Sequence, residues 1–164
     1  MPIEKLPSGT RGVRTPPRLL VKLLMPLMQK VHRRQGDRFR DFDVLYLHTV
    51  GAKSGQPRSS TVARLTDDKP GVLVVASYGG AQNHPAWYHN VVAHPDRVSV
   101  EYSGQTRRVV VTQLTGEERA QAWKHIVTQS PQFGGYESKT DRELPVLRLV
   151  PVEESAGTPR TEND

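Results

Sequence analysis

Thirteen residues, TVGAKSGQPRSST from Thr49 to Thr61, hold two glycines, the cations Lys53 and Arg58, three serines and two threonines. A tight hairpin needs about two to five turn residues and no cation. Backbone N–H groups in a glycine-containing turn, with two cations beside them, form a cradle for an anion such as phosphate. A solvated basic hairpin is the other reading of the same residues. The stretch is not a P-loop, because Ala52 rather than glycine precedes Lys53 and no helix follows. Ser59, Ser60 and Thr61 either line a polar site or decorate an exposed strand. The small residues of ASYGG, Ala76 to Gly80, would let a flat ring approach the backbone, or they form an ordinary turn. His84, His89 and His94 recur every five residues, which does not gather them on one helical face. With no HExxH and no GxSxG, the residues predict neither a metal site nor a hydrolase elbow. SPQFGGYESKTDR, Ser130 to Arg142, reads as a long loop whose Phe133 and Tyr136 either cover a ligand or fill the core.

These groups need elements to hold them. DVLYLHTV (43–50), RSSTVARLT (58–66), VLVVASYG (72–79), RVSVEYSG (97–104), TRRVVVTQL (106–114) and LPVLRLVPV (144–152) read as strands. HPAWYHNVVAHP reads as a helix between Pro85 and Pro95. TGEERAQAWKHIVTQS opens with the capping-box pair Thr115 and Glu118 and runs as another. The strands follow one another too closely for a βαβ series, so the pattern predicts an antiparallel, mainly β barrel with covering helices, an α+β chain.

The chain has 164 residues and no cysteine, which suits one domain without disulfides or thiolate metal sites. No apolar run reaches the roughly 18 residues of a membrane span, and no signal-peptide pattern opens the sequence. These features predict a cytoplasmic protein. Residues 1–40 carry ten basic and two acidic side chains, whereas 41–164 carry thirteen basic and fifteen acidic ones. The basic character therefore belongs to an N-terminal arm, and a nucleic-acid-binding body is disfavoured. Residues 1–14 read as disordered. Thr15 to Arg34 reads as an amphipathic helix, N-capped by Thr15 and kinked at Pro26, that either docks on the domain or rests on an anionic membrane surface. Expected units are therefore the arm 1–40, a domain 41–152 and a disordered acidic tail 153–164.

LHTVGAKSGQPR, VVASYGGAQNHPAWYHNVVAHPDRVSVE and TGEERAQAWKHIVTQSPQFGGYESKTDRELPVLRLVP occur in register over about residues 43–151. Together they resemble the deazaflavin-dependent nitroreductase family, including its F420H2-dependent quinone reductases. The resemblance implies a split β-barrel like that of FMN-binding proteins, with the reduced deazaflavin coenzyme F420 as hydride donor. It also implies quinones as preferred acceptors, and nitro-aromatic compounds as adventitious ones. By the same resemblance Ala52, Lys53, Ser54 and Arg58 hold the coenzyme phosphate. Ser59, Ser60, Thr61, Val62 and Ala63 line the ring with Val75, Ala76, Ser77 and Tyr78. Ala86, Trp87, Tyr88, His89 and Asn90 close the other side. The anionic glutamate tail of the coenzyme would find cations on the arm. Ser77 and Tyr136 are the expected proton-handling residues, and Ala63, Ser130, Phe133 and Tyr136 the expected acceptor pocket. Thr61 and Ala63 stand where relatives carry proline and tyrosine, which turns the expectation from nitroimidazoles toward bulky quinones. An FMN-dependent oxidoreductase and a non-catalytic F420 carrier are the competing readings.

Overall fold

The computed structural model describes residues 2–15 and 42–153, together with Leu24, Pro26, Lys30, Arg38 and Phe39. Of the helix expected over 15–34 only Thr15, Leu24, Pro26 and Lys30 are described; its other residues and 154–164 of the expected tail lie outside the described residues. Elements in chain order are β1 (Arg38–Phe39), β2 (Phe42–Val50), β3 (Pro57–Ala63), β4 (Val72–Val75), α1 (Ala86–Ala93), β5 (Ser99–Tyr102), β6 (Gln105–Gln113), α2 (Gly116–Gln129), α3 (Gln132–Ser138) and β7 (Val146–Pro151). A short 3-10 turn, Tyr78–Gly80, follows β4.

Strands β3, β2, β5, β6, β7 and β4 lie side by side in that order, each pair antiparallel. The sheet curls, and its two ends meet through Leu65 and Leu73, whose N–H and C=O groups bond at 3.0 and 2.7 Å. Beyond that bridge β3 and β4 carry no ladder between them, so the barrel is split on one side. The β5–β6 hairpin turns at Ser103 (φ 53°) and Gly104 (φ 71°). Two successive left-handed residues make the turn whose twist matches the flanking strands.

Alternation assigns two apolar clusters to the two faces. Leu45, Leu47, Val74, Val100, Val111, Leu147 and Leu149 fill the barrel, and Trp87, Tyr88 and Val91 of α1 pack with them. Leu65, Leu73, Val75 and Val146 face outward and are covered by Ala122 and Ile126 of α2 and Phe133 of α3. Each fully buried aliphatic side chain contributes about 1.5–3 kcal/mol. Arg148 on β7 is tied to Asp67 through two bonds of 2.8 and 2.7 Å, which pins the β3–β4 connection. That pairing holds the Asp67 carboxyl below its usual range.

Four sequence readings are corrected here. Residues 2–14 are not disordered: 2–13 form a strap along the domain. Ile3 is buried, Gly9 N–H donates to Gln82 O at 2.9 Å, and Val13 N–H donates to Gly80 O at 3.0 Å. Residues 130–142 are not a loop. They contain α3, because Phe133 and Tyr136 lie one turn apart and reach the outer cluster. Thr115 occupies the N-cap of α2 without a side-chain capping bond. Glu118, expected to complete that cap, pairs with Lys69 at 3.2 Å. Finally, β4 stops at Val75 rather than Gly79, because the next residues turn to meet Arg142 and α3.

Candidate active site in the split of the barrel

The split follows from ladder geometry. In β3, Arg64 N–H bonds to Asp43 O of β2, and Leu65 bonds to Leu73 on the opposite side. Backbone direction alternates, so Thr61 and Ala63 turn their N–H and C=O groups away from β2 and into the split. In β4, Ala76 N–H donates to Pro145 O on the β7 side, so Val75 faces the split. Backbone donors and acceptors of Thr61, Ala63 and Val75 therefore edge the split between the two strands. Ser60, Thr61, Val62 and Ala63 are each partly exposed, and of these Thr61 and Ala63 alternate toward the outer face.

At one end of β3 lies the 51–56 turn. Gly51 N–H donates to Gln56 O at 2.8 Å, and Gly55 N–H donates to Gly51 O at 2.9 Å. Asn90 of α1 fixes it from below, accepting from Ala52 N–H at 3.0 Å and donating to Thr49 Oγ1 at 3.2 Å. Ser54 Oγ receives Gln56 N–H at 3.3 Å and Arg58 Nη2 at 3.4 Å. Lys53 and Arg58 are exposed, and neither is ion-paired among the described residues. The turn thus offers two uncommitted positive charges. Toward the other end of β3 stands the outer cluster. Ala63 and Val75 share it with Phe133 and Tyr136, whose rings meet edge to face at 5.6 Å.

A cation-bearing turn joined by a strand edge to an aromatic pocket suits a long ligand with an anionic end and a flat end. The family model for the F420H(2)-dependent quinone reductases matches residues 21–151. The chain belongs to that family. It is an oxidoreductase whose coenzyme is reduced F420 and whose acceptor is of the quinone type. An F420H(2)-dependent quinone reductase of Mycobacterium tuberculosis is 36% identical over 111 residues, covering 65% of this chain and 72% of that protein. The structure of an F420-H2 dependent reductase is 37% identical with a TM-score of 0.57, covering 65% of this chain and 92% of that one. A heme storage protein from Vibrio cholerae, 16% identical with a TM-score of 0.51, covers 79% of this chain and 92% of its own and shares the fold alone.

The residues present fit this coenzyme. Lys53 and Arg58 would meet the charge of a phosphate, and the backbone edges of Thr61, Ala63 and Val75 would face the polar rim of a deazaflavin. Thr61 Oγ1 is buried without a hydrogen-bond partner among the described residues, beside that rim. Not every expected residue lies along the split. Ser60 and Val62 pair with Leu47 and Leu45, whose side chains fill the barrel, whereas Ser59, Thr61 and Ala63 alternate to the outer face. Trp87 and Tyr88 belong to the barrel core, and the Tyr88 hydroxyl donates to Gln113 Oε1 at 2.7 Å. Burial pushes that phenol upward. Ala86 is exposed and His89 partly so at the start of α1, while Asn90 acts through the turn. Ser130 is buried at the junction of α2 and α3.

Sequence reasoning missed Arg142, His84 and the strap. Arg142 Nε donates to Ala81 O at 2.8 Å, Nη1 to Ala76 O at 3.1 Å and Nη2 to Ser77 O at 2.7 Å. Its Nη1 also lies 3.0 Å from His84 Nδ1. With Nδ1 accepting there, His84 Nε2–H donates to Leu6 O and Pro7 O at 3.0 and 3.1 Å. Burial first, and the adjacent Arg142 charge second, hold the imidazole below its ordinary pKa, which keeps it neutral. Farther along the strap, Asp141 accepts Thr10 N–H at 2.8 Å and Arg11 N–H at 3.0 Å, and also takes the Thr10 hydroxyl. These bonds draw its carboxyl down to about 2. The one signal in the sequence was the pair of residues Asp141 and Arg142 inside the last family-like stretch.

Proposed function

We propose that the split holds reduced F420, with its phosphate on Ala52, Lys53, Ser54 and Arg58 and its ring along Ser59–Ala63 and Val75–Tyr78. The quinone then lies against Ala63, Ser130, Phe133 and Tyr136. What supports this reading is the order of features along β3, from two exposed cations with no ion pair among the described residues, along a strand edge that carries no ladder to β4, to the aromatic pair Phe133 and Tyr136. Bound there, the reduced deazaflavin supplies a hydride, and the quinone needs one further proton to become the hydroquinone. The protein's part is orientation and proton supply. Tyr136 stands in the outer cluster with its ring half-buried and is the proposed proton donor; Ser77, 9% exposed at the end of β4, is the second hydroxyl at that wall. Their roles are alike in kind: each holds a hydroxyl proton where an oxyanion would form.

Small side chains at Ala63 and Ser130 leave room beside Phe133, which favours bulky quinones over bicyclic nitroimidazoles. The test is a fluorescence titration with oxidised F420 and with FMN, followed by steady-state rates for a quinone panel and a nitroimidazole at saturating reduced F420. Tight F420 binding with quinone turnover is expected. FMN binding in its place, binding without turnover, or a preference for the nitroimidazole would each overturn part of the assignment. The basic arm adds a location to this reading: a cytoplasmic enzyme that meets the anionic inner face of the membrane, where lipid-soluble quinones reside. Among the described residues no helix is long and apolar enough to cross a membrane. Co-sedimentation with anionic but not neutral vesicles, abolished by neutralising Arg18, Lys22, Lys30, Arg33 and Arg34, is the expected outcome.

A further inference from the structure

Arg142 is 5% exposed, and no carboxylate pairs with it among the described residues. A buried charge without a counter-charge is costly, and residues that serve packing alone achieve it with apolar atoms. What Arg142 gains is four directed bonds, and three of them go to carbonyls of one short segment, Ala76, Ser77 and Ala81. A planar fork with fixed donor directions holds those carbonyls in one arrangement, which a flexible ammonium would not. The segment it holds resists relaxation in another way. Tyr78 sits at φ 47°, a left-handed conformation uncommon for a bulky residue, yet the residue is 38% exposed. Strain of that kind persists where surrounding contacts impose it. Gly80 completes the constraint: at φ 82° a Cβ there would come within 2.6 Å of Tyr136 O, so the segment lies directly against α3.

We propose that Arg142 is a positioning residue for hydride transfer. Its guanidinium presets the 76–81 segment so that the Val75–Tyr78 wall meets the deazaflavin and Ser77 and Tyr136 keep their spacing across Gly80. This rests on the reading above that Val75–Tyr78 lines the ring. Arg142 touches neither coenzyme nor acceptor, and it acts through three carbonyls.

The test uses the full chain with Arg142→Lys and Arg142→Ala, and with Val109→Ala in the barrel as a control for lost stability. Oxidised F420 affinity is read by fluorescence, kcat and KM by quinone reduction, and unfolding by melting. A wall displaced by about an ångström costs on the order of tenfold to a hundredfold in coenzyme affinity and kcat together. The control should melt earlier yet bind and turn over as the parent does. Guanidinium added to Arg142→Ala should restore binding, and the lysine variant should recover less than the rescued alanine. If Arg142→Ala does not fold, Arg142→Lys decides. A lysine variant that melts earlier but keeps parental affinity and kcat would reduce Arg142 to a structural role and overturn the proposal. Failure of the parent itself to bind F420 would instead sink the functional reading, so the two failures are distinguishable.

Discussion

Replacing Lys53 and Arg58 together by alanine removes the cation of the 51–56 turn and the one that follows it at the start of β3. The bonds that shape the turn, Gly51 N–H to Gln56 O and Ala52 N–H to Asn90 Oδ1, stay in place. Both side chains are exposed, so water competes and each charge-assisted bond contributes near the low end of its range, about 1.5 kcal/mol. Arg58 already directs Nη1 to its neighbour Pro57 O at 3.2 Å and Nη2 to Ser54 Oγ, which orients the fork before a ligand arrives. Two such contributions make about 3 kcal/mol, or roughly a hundredfold or more in Kd. The assay is a fluorescence titration with oxidised F420 at low and high salt. The parent should lose affinity as salt screens the cations, and the double variant should be nearly salt-independent. Circular dichroism should show the fold unchanged, because neither side chain is buried. A folded double variant that binds as tightly as the parent at low salt would refute the cradle, and the phosphate would have to lie elsewhere.

Tyr136→Phe should lower quinone turnover by about tenfold to a thousandfold while sparing F420 affinity, since a positioned acid contributes in that range less any rescue by water; equal kcat would remove the hydroxyl from the mechanism. Ser77→Ala is the paired measurement, and full activity in both variants would leave proton delivery to solvent. The His84 pKa is depressed in the folded state, so the unfolded chain binds the extra proton first. Its contribution to stability is therefore present above the unfolded value near 6.5 and is lost as pH falls below it toward the folded value; melting from pH 7.5 to 5.5 should show the decline, and His84→Gln should blunt it.

Local chemistry was readable, and long-range chemistry was not. The Ser103–Gly104 hairpin, the helix after Pro85 and the cation turn each depend on neighbours within a few residues, so their residue types announced them. Helix α3 escaped because Gly134 and Gly135 read as loop. What makes it helical is tertiary: Phe133 and Tyr136 enter the outer cluster, and Trp123 Nε1 donates to Glu137 Oε2 at 3.1 Å. The strap escaped because proline, glycine and serine in a terminal segment suggest disorder, and its partners lie far along the chain. Of the candidate site, the cation-bearing turn and the hydroxyl-rich strand after it were marked by composition and family likeness. Trp87 and Tyr88 were assigned to the ring when their side chains close the barrel, a distinction set by which face of α1 turns inward. Beyond its place in the last family-like stretch Arg142 gave no signal, because three of its partners are backbone carbonyls, which every residue has.

The strap also sets an order of events during synthesis. Thr10 meets Asp141 across 131 positions, and Leu6 meets Tyr88 across 82. At about 5–20 residues per second of translation, the first pair waits roughly 7–26 s before both members exist. Until their own partners emerge, Ile3 and Leu6 remain exposed to whatever lies near the ribosome exit. The wall beside Ser77 is likewise unfinished until Arg142 emerges. A nascent chain halted before residue 140 would therefore carry β1 to β6 and the 51–56 turn, yet lack both β7 and the Asp141–Arg142 clasp.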